Sequence, residues 1–484
     1  MPLASDAFLQ VGGSIGKIGH TRRNAVPKAM SPSLPELVKH YDRPGPRYTG
    51  YPMPPAWKDS FPESELLDAL TQANGDPGPL SIYAHIPFCP RRCAYCGCNV
   101  VASPHYTPVE AYLEAMETEA ELWAKHLPTR RSTIQLHWGG GTPTYLKAPD
   151  LRRLFRAITS RFPLLQDAEV SIEVDPTFLD AEQLPALREL GFNRVSFGVQ
   201  DLDEGVQTLI GRGQTWDMTL AAVRQARDLG FAGVNLDLVY GLPGQSLSTF
   251  QSTVEAVAEL SPDRIAIYGF AYLPRMMPHQ RRIPAERLPS PETRLDLLLL
   301  ATDLLERHGY AAIGMDHFAR PDDELAKAAQ DGRLMRNFMG YAVRSGRDSL
   351  GLGPSAISNV AGVYSQNEKI LSKWERTVLS GHFAPHKGCR LTREDELRRW
   401  VIHTLMGTFE LRWEDVQAQW GVGADHFADA LCELAMEVPY GTVELRDSGV
   451  FVTDLGRRFV RNLAMPFDAY LKRLAPSTAF SRTV

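Results

Sequence analysis

The chain has 484 residues, of which 44% are hydrophobic and 23% charged, with a formal net charge of -5. This composition fits a globular protein with one large domain and a smaller one, and it excludes an intrinsically disordered chain. No apolar run is long enough to cross a bilayer and no overall basic field attracts nucleic acid, so neither is an expected partner.

Residues 1–33 are rich in Gly, Ser, Ala and Lys/Arg and show no periodicity, which predicts a flexible N-terminal extension. They lack the apolar core of a signal peptide. With six cysteines that read as reduced, a cytoplasmic location is expected; a weakly basic transit-like segment is the alternative. Residues 37–52 are irregular, aromatic and basic, broken by Pro44, Gly45 and Pro46. They read either as a loop packed by its tyrosines or as a flap carrying Arg43 and Arg47 to an acidic ligand.

From residue 81 short apolar runs at 81–87, 133–139, 170–176, 194–200, 233–241 and 263–270 predict strands. Helical periodicity fills the intervals at 108–127, 149–161, 181–190, 216–229 and 246–260, and returns at 291–308. Such alternation implies a parallel sheet with right-handed crossovers, six units rather than the eight of a closed barrel. The expected fold class is α/β, an open partial (β/α)6 barrel of parallel strands with a smaller, mainly helical C-terminal domain. The expected division is 1–33, 34–360 and 361–484. Ligands belong at the carboxyl ends of the strands.

The first strand leads into a loop with Cys89, Cys93 and Cys96 at spacing C-x3-C-x2-C. Thiolates are the usual ligands of iron–sulfur clusters, and three of them leave one iron of a four-iron cluster open. A closed zinc site completed by Cys98 or His85 is the alternative, as are plain buried cysteines. Cys98 stands too close to Cys96 to share a cluster and reads as a non-ligand. Gly139, Gly140, Gly141 and Thr142 follow the second strand, Glu173 and Asp175 end the third, Gln200 ends the fourth, Arg212 follows it and Asp237 lies in the fifth. Singly, each has an ordinary structural reading as a tight turn or a paired charge; their common placement sets them apart. Segments 314–324 and 351–358 read as connections or as covers of a site, and His317 as a satisfied polar residue. Helical patterns at 391–408, 413–420, 427–435 and 455–463, with a hairpin at 442–453, make up the tail, where Cys389 and Cys432 read as structural thiols.

The cysteine spacing resembles the signature of the radical S-adenosylmethionine (SAM) enzymes. Taken with 44–49, 85–99, 137–144, 198–201, 240–243 and 314–320, the chain resembles the oxygen-independent coproporphyrinogen III oxidase (dehydrogenase) family from about residue 41 onward. The resemblance implies a [4Fe-4S] cluster on Cys89, Cys93 and Cys96 and two molecules of S-adenosyl-L-methionine. Tyr83, Gly140, Glu173 and Ile357 would line the first SAM. Tyr95, Gly141, Thr142, Gln200, Arg212, Asp237 and Ala271 would line the second. It further implies oxidative decarboxylation of two propionates of coproporphyrinogen III to vinyls, giving protoporphyrinogen IX in haem biosynthesis. An electron donor and acceptor are required that the sequence does not identify, and a monomer is the expected state. Arg43 or Arg47 would meet the substrate carboxylates. Departures from the family pattern are Gly50 for Ser, Tyr95 for an aromatic that is often Phe, and Gly407 where Cys is common. A haem-trafficking chaperone of the same superfamily, or a radical SAM enzyme acting on another tetrapyrrole, remain the alternatives.

Overall fold

In the computed structural model, which describes residues 32–474 and 480–483, the six expected strands occur in order. All but the last two residues of the expected 1–33 extension lie outside the described residues. Strands β1 (Leu80–Ile86), β2 (Thr133–Gly140), β3 (Leu164–Val174), β4 (Arg194–Gln200), β5 (Gly233–Tyr240) and β6 (Arg264–Gly269) pair in parallel, each with the next. Side chains alternate across each strand, so one face can be apolar and the other polar. Leu80, Ile82, Ala84 and Ile86 of β1, Leu136 and Trp138 of β2, and Ile265 and Ile267 of β6 are buried in the core beneath the crossover helices. The opposite face lines the barrel lumen: Ser81 donates to Gln135 at 3.1 Å, Tyr83 stacks on His137, His137 bonds Ser171 at 2.7 Å, and Ser196 donates to Asp237 at 2.9 Å.

Sequence-encoded caps set the crossover helices. Thr215 and Ser246 accept the Met218 and Thr249 amides at two helix starts, and Gly191 ends helix Gln183–Leu190 at φ 102°. Trp138 is fully buried, edge-on to Phe192 at 5.1 Å and tilted against Phe155 at 6.3 Å. Truncating a ring packed in this way costs about 3–5 kcal/mol.

The sheet continues beyond the six strands. Antiparallel strands β7 (Ala311–Gly314) and β8 (His317–Ala319) extend it past β6. On the other side β9 (Asp348–Leu352) is a seventh parallel strand, on β1, followed by antiparallel β10 (Ile357–Val360), β11 (Val363–Asn367) and β12 (Pro385–Arg390). Thus 351–358, read from sequence as a connection or a cover of a site, holds the end of β9, a turn at 353–356 and the start of β10. Buried Asp348 anchors it by pairing with Arg130, and Gly351 admits the next strand, because a Cβ there would lie 2.7 Å from the Ile357 carbonyl oxygen. The division expected at 360/361 falls inside the β10–β11 hairpin, and the sheet runs on to Arg390. The two end strands of the sheet, β7 and Lys58–Asp59, do not pair with each other, so the barrel is open.

After β12 come helix Arg393–Thr408, shorter helices and a three-stranded sheet, β13 (Glu410–Arg412), β14 (Val443–Arg446) and β15 (Gly449–Val452). They form a second apolar cluster that also takes Tyr48 and Tyr51 from the N-terminal arm. Tyr48 donates to Asp468 at 3.0 Å and Arg461 donates to the Gly45 carbonyl at 2.6 Å. Gly407 fits this packing, because a Cβ there would lie 2.7 Å from the Leu334 carbonyl oxygen. No helix among the described residues is long and apolar enough to cross a membrane.

Candidate active site

Beyond β1 the chain makes a two-residue strand, Phe88–Cys89, which pairs with Val101–Ala102 and closes the cysteine loop on itself. The His85 Nε2 bonds the Asn99 carbonyl at 3.0 Å, and the Ala94 amide donates to the Ile210 carbonyl at 2.8 Å. Cys89, Cys93 and Cys96 consequently face one cavity of about 450 Å³ at the carboxyl ends of the strands, with Cys98 beside them. The Cys98 amide donates to the Cys96 sulfur at 3.4 Å. Burial raises the Cys89 and Cys93 thiols, whereas the hydrogen bond from the Cys98 thiol lowers Cys96.

The three glycines that end β2 make room for this arrangement. Gly140 sits at φ +124°, where a side chain is strained, and a Cβ on Gly141 would lie 2.6 Å from the Phe88 carbonyl oxygen. A Cβ on Gly139 would come within 2.9 Å of the Glu173 carboxylate. Glu173 accepts the Gly140 amide at 3.2 Å and meets His137 at 3.4 Å. Burial alone would raise its carboxyl, but His137 and the Gly140 amide outweigh that and hold it below the usual value.

Opposite the cysteines, Arg212 pairs with Asp175 at 3.0 Å and donates to the Gly198 carbonyl at 2.7 Å and to Gln214 at 2.8 Å. Gln200 turns out of β4 at φ 69°, and Gly198 yields space for its amide, which would lie 2.6 Å from a Cβ at 198. Among the described residues, Asp237 has Ser196 as its hydrogen-bond donor and no cation in contact. Burial, with Glu173 close by, pushes its carboxyl up to about 7.

The structure therefore brings Tyr95, Gly140, Gly141, Thr142 and Glu173 to the same cavity as the three cysteines. Gln200, Arg212, Asp237 and Ala271 complete its wall. Tyr83 and Ile357 do not line it. Tyr83 lies deeper in the lumen, three residues before Ile86, which pairs with Gly140. Ile357 stands on β10, against Gly351, the strand partner of Tyr83. Of the two arginines in the N-terminal arm, Arg43 is exposed, while Arg47 pairs with Asp316. His317 is held by Asp316 at 2.8 Å. Sequence reasoning missed Asp175 as the partner of Arg212. It also missed His279, which donates to the Cys96 carbonyl at 2.7 Å, and Gln280, which donates to the Ala271 and Tyr95 carbonyls at 3.0 and 3.2 Å. These last two lie in a short 3-10 turn, Pro278–Arg282, too brief to carry a periodic signal.

Among the described residues, no three His, Cys, Asp or Glu side chains converge on a single-ion site. Three thiols that share one cavity suit a cluster that takes one thiolate per iron. The charged wall beyond them suits a zwitterionic ligand such as SAM.

Comparison with known proteins agrees with this chemistry. Residues 83–257 match the Radical SAM superfamily model. Oxygen-independent coproporphyrinogen III oxidase of Escherichia coli strain K12 is 42% identical over 449 residues, covering 93% of this chain and 98% of that one. The chain belongs to this family. The cyanobacterial relative from Synechocystis is 40% identical over 93% of the chain and 97% of its own length. The solved structure of the Escherichia coli enzyme, reported as a radical SAM enzyme, superposes with a TM-score of 0.86 over 90% of this chain and 98% of that one. As a family member the protein is a radical SAM oxidoreductase that uses a [4Fe-4S] cluster and SAM.

Proposed function

We propose that this protein oxidatively decarboxylates two propionates of coproporphyrinogen III to vinyl groups, giving protoporphyrinogen IX in haem biosynthesis. The observation that carries it is the meeting of three thiols, a glycine turn and paired charges in one cavity, in a chain 42% identical to such oxidases over 93% of its length. Each propionate loses one hydrogen atom from its β-carbon, carbon dioxide, and one electron, which passes to the electron acceptor the reaction requires. No protein acid or base can take a hydrogen from an unactivated C–H bond, so cluster and SAM together supply a primary carbon radical for that step.

The chain's own residues bind and orient. Cys89, Cys93 and Cys96 each offer one thiolate. Glu173, oriented by the hydrogen bond it accepts from the Gly140 amide, would receive the amino group of one SAM, with Tyr83 and Ile357 behind it. For a second SAM, Arg212 offers its guanidinium to the carboxylate and Asp237 accepts hydrogen bonds, between Tyr95, Gly141, Thr142, Gln200 and Ala271. Charge-assisted bonds of this kind are the strong ones in a desolvated cavity.

The test is an anaerobic incubation of the iron- and sulfide-reconstituted protein with coproporphyrinogen III, SAM and a reductant. Two carbon dioxide molecules, two 5′-deoxyadenosines and one divinyl product per substrate are expected. SAM cleavage without vinyl product would overturn the substrate, and one deoxyadenosine per divinyl product would remove the second SAM.

A further inference from the structure

A second cavity, of about 660 Å³, lies between helix Arg393–Thr408, the hairpin of Met335–Asn337 with Gly340–Ala342, and the inner side of β9–β11. Its chemistry differs from that of the arginine-bearing cavity beside β6, where each buried cation already has an anion or carbonyls. There, Arg47 meets Asp316, Arg461 meets the Gly45 and Pro46 carbonyls, and Arg294 meets the Phe270 carbonyl.

In the second cavity Arg336 and Arg399 have no carboxylate within 4.0 Å among the described residues. The Nε of Arg336 donates to the Arg47 carbonyl at 3.3 Å, and Arg399 reaches only Asn359 at 3.5 Å. Among the described residues, three buried nitrogen atoms of these lining side chains have no hydrogen-bond partner: Nη1 of Arg336, Nε2 of His403 and Nε1 of Trp420. Arg336 is only 6% exposed. Buried polar groups left unpaired are costly, so a cluster of unmet donors and cations calls for an anionic acceptor. Burial above all, with the charges of Arg399 and Arg336 adding to it, drives His403 down to about 3; Glu396 also lines the cavity, without pairing with either arginine.

A file of packed side chains joins the walls of the two cavities. Tyr268 lines the cysteine cavity and meets His317 edge-on at 5.8 Å, His317 meets Tyr341 at 5.3 Å, and Arg336 lies 4.5 Å over the Tyr341 ring. Phe338 and Tyr364, edge to face at 5.7 Å, give the second cavity an aromatic wall suited to a pyrrole ring.

We propose that Arg336, Arg399 and the His403–Trp420 wall hold the propionate carboxylates that the reaction leaves intact, fixing which side chains of the macrocycle face the cysteine cavity. This deepens the function proposed above and rests on it. A tetracarboxylate whose two propionates react must anchor the other two elsewhere, and guanidinium is the group that pairs with carboxylate in planar, bidentate fashion.

The reconstituted protein is titrated anaerobically with coproporphyrinogen III and with its tetramethyl ester, SAM being omitted so that nothing turns over. The acid should bind about tenfold or more tighter than the ester. Arg399→Gln and Arg336→Gln should each weaken acid binding about tenfold and leave ester binding unchanged, with Arg399→Lys recovering part of the loss. Cluster absorbance and circular dichroism confirm that each variant is folded, and the acid–ester comparison needs no variant at all. Equal binding of acid and ester, or variants that bind the acid like the wild type, overturn the proposal. A wild type that binds the acid but makes no vinyl product overturns the proposed function and leaves this site standing.

Discussion

At the amino ends of β4 and β6, Arg194 and Arg264 meet Asp323 at 3.0 and 2.9 Å, with Glu169 and Glu324 closing the group. At the carboxyl ends of the same barrel, Glu173, Arg212 and Asp237 face a cavity, and while Glu173 has His137 and Arg212 has Asp175, Asp237 is left without a cation. Both sets are buried charge, on opposite terms. Burial would raise Asp323, but Arg264 and Arg194 outweigh it and hold its carboxyl below the usual value. Asp237 has no such neighbour, and burial raises it to about 7. Charge that closes on other charge holds strands together. Charge left open is available to a ligand, and the fold carries its cost.

The largest effect belongs to the open end. Cys89→Ala, Cys93→Ala or Cys96→Ala should each abolish both the visible absorbance of the reconstituted cluster and product formation, whereas Cys98→Ala should keep the cluster. Loss of the cluster in Cys98→Ala with retention in Cys96→Ala would reverse the assignment. At the closed end, Asp323→Ala strands two buried guanidinium groups and should destabilise the fold by about 3–5 kcal/mol. Denaturant midpoints measure this, with cluster absorbance per folded protein unchanged. A cost below about 1 kcal/mol, the range of a surface pair, would mean that Glu169 and Glu324 suffice.

The two ends were not equally legible in the sequence. β1–β6 and most of the helices between them were readable within a few residues, although β3 starts at Leu164 rather than 170 and helix Glu204–Ile210 was missed, because apolar runs repeat six times and most motifs fall at or just after a strand end, where α/β folds place ligands. Also written there, but read only from the structure, is the polar alternation of Ser81, Tyr83 and His85, or of Gln135 and His137, which marks the lumen face. The closed end was not visible, since Asp323 lies far along the chain from Arg194 and no spacing rule links them. The same holds for Asp175 with Arg212 and for His279 with the Cys96 carbonyl. β9 was missed because five residues, one of them a glycine, carry no period, and its pairing with β1 is fixed by Asp348 on Arg130 rather than by anything local.

The smallest expected effect is a matter of sign with pH. A carboxyl near 3.8 in the unfolded chain and near 7 in the folded one binds its proton more tightly when folded. The stability it contributes is therefore fully present below about pH 4, declines as pH rises toward 7, and is gone above that. Asp323, held low, runs the other way: its contribution is present at neutral pH and lost in acid. Asp237→Asn replaces the titrating group with a neutral one of the same shape that keeps an acceptor for Ser196. The melting temperature of the SAM-free variant should match the wild type near pH 4.5 and exceed it at pH 8, the gap opening between them. SAM should reverse that order at pH 8, because the ionised Asp237 then has a cationic ligand to meet and the amide does not. A gap independent of pH would show that Asp237 is ionised throughout and already paired, and would erase the distinction between the two ends of the barrel.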